Sequence, residues 1–249
     1  MTTTIVLGNG PLGRAIETAL RDRDDTVRLL GRPTGGRHDP TLLGAADVVV
    51  DASRADAVAA NVEHALDAGC RAFVVATTGW QADADRVAGA LRRAGGVAVA
   101  APNLALGAAL FLRLVDEAAR LAAAIGGFEP TVMEWHRRSK ADRPSGTARE
   151  IVRRLGARLP IEIDEIAVLR SGSMPGMHVV GLDGSSETIE LRMTARDRSG
   201  YAAGALAAID WLRARPRSPG IHAFDEVVDE RIAAGRVAGP MPEPVSATA

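Results

Sequence analysis

The stretch TTIVLGNGPLGRAI, residues 3–16, decides the fold. Thr3–Leu7 has the β-branched and apolar character of a buried strand, and Leu12–Arg23 reads as a helix. Between them Gly8, Gly10 and Gly13 stand in G-x-G-x-x-G spacing. In that position glycines allow a tight turn, the approach of backbone to a pyrophosphate and close helix–strand packing, with the anion at the helix N-terminus. Pro11 suits a first helical turn, where its missing N–H costs nothing. Gly8, Gly10, Pro11, Leu12 and Gly13 are therefore candidate contacts of a dinucleotide.

Outward from this loop the alternation continues. Thr26–Leu30, Asp47–Val50, Ala72–Val75 and Val97–Ala100 read as strands, and Ala55–Ala68 and Ala82–Ala94 as helices. This order predicts an α/β chain with a Rossmann-type, doubly wound parallel sheet over residues 1–104. NAD sites usually place an acid at the end of the second strand to hold the ribose hydroxyls. Here that strand ends Leu30-Gly31-Arg32, and Asp24 and Asp25 precede it. Arg32 suits a 2′-phosphate, so NADPH is the expected cofactor and NADH the alternative. Ser53, after the third strand, and Ala76, Thr77 and Thr78, after the fourth, fall at the carboxyl edge where ligands bind. They are candidate cofactor contacts, with helix capping as the other reading.

Composition narrows the function classes. The 249 residues are 47% hydrophobic and 24% charged, with 30 basic and 31 acidic residues giving a net charge of −1. No basic excess points to nucleic acid or a membrane surface. No apolar run reaches the ~20 residues that span a bilayer, and the N-terminus lacks signal-peptide features. The lone cysteine, Cys70, excludes an internal disulfide framework, so a cytoplasmic protein is expected. Of the basic residues only one, Lys140, is lysine.

After Pro102 the pattern changes to a smaller α+β domain, residues 105–215. Ala105–Ala124, Thr147–Leu159 and Tyr201–Arg213 read as helices. Thr131–Glu134 is an apolar segment, while Ile161–Leu169, Met177–Leu182 and Thr188–Thr194 read as antiparallel strands. The tail from Gly239 is expected to fray. The chemistry concentrates in EWHRRSKADRPSGT, residues 134–147. His136 can deliver a proton near neutral pH. Lys140 can fix an anion as a point charge. The N–H groups of Ser145, Gly146 and Thr147 would open a helix and form a carboxylate site. A solvated basic loop with a helix cap is the competing reading. The other histidines, His38, His64, His178 and His222, show no metal spacing, so no metal is expected. His178 reads as a structural histidine and Trp135 as core packing. A short-chain dehydrogenase is excluded, because the only tyrosine, Tyr201, does not precede the only lysine.

Residues 134–147 resemble the E-x-H-H-x-x-K-x-D-A-P-S-G-T signature of the 4-hydroxy-tetrahydrodipicolinate reductase family. The likeness extends to Ala76–Gly79 (G-T-T-G in the family), Ala101–Gly107 (A-P-N-x-S-x-G), Leu169–His178 (I-R-x-G…G-x-H), and Arg198, Tyr201 and Gly204 (R-x-x-F-x-x-G). The resemblance implies reduction of a cyclic imino dicarboxylate on the diaminopimelate route to lysine. It makes His136 the proton donor, Lys140 a substrate-binding residue and Ser145–Thr147 the carboxylate turn. Asn103 becomes the hinge between domains and a cofactor contact. It further implies homo-tetramers through the substrate domain and a return of residues 216–249 to the first domain. Arg137 stands where the family has a second histidine, and Arg143 where it has alanine. Ala76, Leu104 and Met193 also depart from the pattern. Arg137 and Arg143 would add guanidinium groups beside the substrate. A relative that reduces a different imino acid, or a non-catalytic NADP-binding redox sensor, are the alternatives.

Overall fold

Short runs of valine, isoleucine and alanine form the centre of a six-stranded parallel sheet in the computed structural model, which describes residues 3–33 and 35–235. The strands are β1 (Thr3–Leu7), β2 (Thr26–Leu30), β3 (Val48–Asp51), β4 (Ala72–Val75), β5 (Val97–Ala100) and, from the far end of the chain, β10 (Gly220–Ala223). Their order is β10-β5-β4-β3-β1-β2. Successive side chains point to opposite faces, so both faces must be covered. Ile5, Leu7, Val49 and Phe73 pack under α3 (Val58–Asp67) and α4 (Ala84–Ala94). Val6, Val50, Val74 and Val99 pack with α1 (Pro11–Arg21) and α7 (Ser199–Ala214) on the other side. The short helix α2 (Pro40–Gly44) starts where the Asp39 carboxylate accepts the Thr41 N–H at 2.8 Å.

The second sheet has the order β7-β6-β8-β9, from β6 (Glu129–His136), β7 (Ala167–Arg170), β8 (Gly176–Asp183) and β9 (Thr188–Ala195). Helices α5 (Leu106–Ile125) and α6 (Gly146–Gly156) cover one face, with Phe111, Val115, Ile151 and Leu155 against Val132, Val180 and Leu182. Trp135, expected in the core, lies on the opposite face, partly exposed and paired in register with Leu169 and Met177. Helix α8 (Phe224–Ala233) ends the described chain. No helix among the described residues is long and apolar enough to cross a membrane.

Two further expectations are corrected. Ile161–Leu169 is not one strand. Its alternating pattern mimics one, but Glu162 and Glu165 cap each other around a single 3-10 turn at Ile163–Glu165, and the strand begins only at Ala167. β7 is also parallel to β6 rather than antiparallel, because α6 carries the chain back before it pairs. α2, β10 and α8 were not anticipated as elements. The tail from Gly239, with the rest of residues 236–249, lies outside the described residues.

Candidate active site

The glycine loop separates two kinds of requirement. Gly8 has φ +107°, and a Cβ there would lie 2.3 Å from the Ala52 carbonyl oxygen. A Cβ on Gly13 would lie 1.8 Å from the Gly8 carbonyl oxygen. Those two glycines are demanded by the protein's own packing. A Cβ on Gly10 would meet nothing within 4 Å. Gly10 is the N-cap of α1, and no side chain caps that helix. The N-terminus of α1 thus opens onto free space that suits a pyrophosphate.

At the neighbouring strand ends the hydroxyls turn inward. Asp51 is buried and accepts from the Ser53 N–H (3.0 Å) and hydroxyl (2.8 Å), Asn61 Nδ2 (2.7 Å) and the Thr77 hydroxyl (2.6 Å). Ser53 and Thr77 therefore brace the loops. Ala76 and Thr78 line a small cavity of about 150 Å³ with Leu12, Asn103 and Tyr201. Arg32 is exposed just beyond β2.

The large cavity, about 1210 Å³, runs from Pro11 and Leu12 past Thr78 and Asn103 to His136, Arg137, Lys140, Ser145, Gly146 and Thr147. Of the expected cofactor contacts Pro11, Leu12, Thr78 and Asn103 border this space together with the expected substrate residues, whereas Gly8, Gly10, Gly13, Arg32, Ser53, Ala76 and Thr77 do not. Asn103 borders both cavities: its side-chain carbonyl accepts the Ala105 N–H at 2.9 Å, and its amide approaches the Thr147 hydroxyl at 3.5 Å. Arg143 is exposed and does not line this cavity.

Sheet register explains the chemistry at the cavity's inner end. Glu134 faces His178 across β6–β8, and His136 faces Arg170 across β6–β7, so all four side chains share one face. Glu134 has no exposed surface and accepts from Arg170 Nη2 (2.7 Å), the Ser145 N–H (3.0 Å) and His136 Nε2 (3.2 Å). Burial opposes its charge, but the bonds from Ser145 and Arg170 prevail and hold the carboxyl below its usual range. Burial lowers the pKa of His136, and the charges of Lys140 and Arg170 add to this against the pull of Glu134. His178 is lowered to about 4, chiefly by burial, and stays neutral at pH 7. A Cβ on Gly176 would come within 2.8 Å of the His136 ring, so glycine there makes room for the imidazole. Lys140 Nζ lies 2.7 Å from the Asp142 carboxylate, and Ser145 caps α6 by accepting the Ala148 N–H.

The sequence reading missed Glu134, Arg170 and Asp51 as site residues. A period-two reading of β6 would have paired Glu134 with His136. It also treated the histidines as scattered, whereas His136 and His178 stack edge-on with ring centres 5.3 Å apart. Glu134, His136 and His178 could together face a cation. Such an ion would have to compete with the Arg170 guanidinium for the carboxylate.

Residues 27–104 match the family model described as dihydrodipicolinate reductase, N-terminus, and residues 107–228 match its C-terminus. The chain belongs to the dihydrodipicolinate reductase family. Relatives named 4-hydroxy-tetrahydrodipicolinate reductase include that of Myxococcus xanthus, 33% identical over 220 residues covering 78% of this chain and 79% of that one. The relative from Archaeoglobus fulgidus is 34% identical over 202 residues, 74% of this chain and 76% of that one. The fold matches a dipicolinate-bound dihydrodipicolinate reductase from Paenisporosarcina sp. TG-14 with TM-score 0.70 and 16% identity, covering 90% of this chain and 98% of that one. The chain is thus an NAD(P)H-dependent oxidoreductase of this family, whose family-model matches begin beyond the glycine loop and include the whole of residues 134–147.

Proposed function

We propose that this reductase uses NADPH to reduce a cyclic imino dicarboxylate, 4-hydroxy-tetrahydrodipicolinate, on the diaminopimelate route to lysine. One observation carries the reading: a single cavity joins the uncapped N-terminus of α1 to the cationic loop and the N-terminus of α6. The open space at Gly10 fits the cofactor's pyrophosphate, and Arg32 its 2′-phosphate. Bound NADPH would supply the hydride. His136 donates the proton from the cavity wall. Lys140 and the Gly146 and Thr147 N–H groups orient the carboxylates. The exposed Met133 and Leu169, on the sheet face turned away from the core, support assembly with further copies of the chain. The name of the relatives, 4-hydroxy-tetrahydrodipicolinate reductase, supports the substrate. NADPH absorbance, followed with freshly generated 4-hydroxy-tetrahydrodipicolinate and several other cyclic imino acids, tests the reading. Cofactor binding without turnover of any of them would overturn it.

Cofactor choice gives a separate expectation. Arg32→Ala should weaken NADPH much more than NADH, since a charge-assisted phosphate contact contributes on the order of 1.5–3 kcal/mol. Equal losses in the two Kd values would remove Arg32 from the phosphate site.

The two unusual arginines should separate. Arg137 borders the cavity and Arg143 does not. Arg137→His should raise the KM for the imino acid by roughly tenfold, the loss of one charged contact, whereas Arg143→Ala should leave it unchanged. Equal effects would mean that both side chains act only through the overall charge of the loop.

A further inference from the structure

The Glu134–Arg170 pair is buried at both ends, with side chains 0% and 3% exposed. Such pairs seldom stabilise a fold beyond what apolar residues of the same volume would supply, so their hydrogen bonds matter more than their charge balance. Those bonds reach three points around the proposed substrate site. Glu134 Oε2 meets His136 Nε2. Glu134 Oε1 takes the N–H of Ser145, where the loop enters α6. Arg170 Nη2 donates to Glu134 and, at 2.6 Å, to the Asp142 carbonyl in the middle of the same loop. The loop's other end is tied by the Arg138 N–H to the Gly172 carbonyl at 3.0 Å.

We propose that the Glu134–Arg170 pair is a positioning device acting on both functional groups at once: one carboxylate oxygen orients His136, while the other, with the guanidinium, fixes the loop that presents Lys140 and the carboxylate turn. This role rests on the reading of the cavity as a reduction site. The charged and titratable groups facing His136 are Glu134 on its own strand, Arg170 from β7, His178 from β8 and Lys140 from the loop. Of these four, Glu134 supplies the negative charge and the acceptor for a protonated imidazole.

Glu134→Gln separates the two duties. The glutamine oxygen can still accept from Ser145 and Arg170, while its amide now donates to an unprotonated His136 Nε2. The protonated imidazole loses its partner, so the falling limb of kcat/KM should move to lower pH by about one unit, the size of a lost close charge, with the Kd of NADPH unchanged. NMR titration of the His136 ring in the unliganded protein should show the same displacement. Arg170→Lys keeps the charge but replaces the planar fork with a single ammonium on a different stem. It should raise the KM for the imino acid by roughly tenfold and move the pH limb less. An unmoved His136 titration in Glu134→Gln, or an unchanged KM in Arg170→Lys, would overturn the proposal. Absence of turnover in the unaltered enzyme would instead remove the functional reading, and the NMR titration would still decide whether Glu134 governs His136.

Discussion

His136→Gln is expected to lower kcat by about 10²–10⁴-fold, the usual contribution of a positioned general acid, with the Kd of NADPH nearly unchanged. The imidazole is only 13% exposed and borders the cavity. Glutamine can hydrogen-bond Glu134 but cannot donate a proton and recover it. The pH dependence has a definite sign. The active form of a proton donor is the protonated one, and burial with the Lys140 and Arg170 charges depresses the pKa of His136 in the free enzyme. The kcat/KM profile should therefore fall as pH rises through a value below the ordinary imidazole range. Two substrate carboxylates beside the ring would favour the imidazolium, so the corresponding limb of kcat should lie at higher pH than that of kcat/KM. Near-normal turnover by His136→Gln would show that water supplies the proton.

The parts of this molecule that were legible in the sequence are those set by local pattern. β1, β2, β4 and β5 take the predicted bounds because each is an apolar run ended by a turn. The glycine loop was legible because packing demands Gly8 and Gly13, and Pro11 marks the start of the helix that follows. β10 was not legible as a strand, since Gly220–Ala223 is four residues long and joins the sheet only through pairing with β5, more than a hundred residues earlier; the family resemblance alone pointed residues 216–249 back to the first domain. The same limit applied at the site. His136, Lys140 and Ser145–Thr147 sit within one segment and could be read together. Arg170 meets Glu134 across 36 positions of chain, and that contact exists only once β7 has come back parallel to β6. Ser53 and Thr77 have the residue types expected at that edge, and both hydroxyls donate to the buried Asp51, an arrangement that residue type alone does not reveal.

Lys140→Arg is expected to lower kcat/KM by about 10²-fold although it preserves the charge, because a misplacement of about 1 Å near the reacting centre costs that much. Lys140 is the only lysine among 30 basic residues, in a chain that uses arginine everywhere else. Its ammonium is partly exposed at the cavity and pairs with Asp142 at 2.7 Å. A point charge with rotatable donors can turn from Asp142 towards a substrate carboxylate without moving the backbone. A guanidinium is longer and planar, and it would grip Asp142 through two parallel bonds. The loop cannot shift to compensate, since the Asp142 carbonyl and the Ser145 N–H are both tied to the buried Arg170–Glu134 pair. The substrate acid would therefore be displaced from the hydride donor or left to compete with Asp142. Because the lysine pair is half-exposed, the thermal midpoint should barely change, and NADPH binding should be unaffected. Steady-state kinetics with Lys140→Arg and Lys140→Met decide the point. Equal, large losses in both would mean that geometry matters as much as charge, whereas wild-type kcat/KM in Lys140→Arg would mean that any cation at this position suffices.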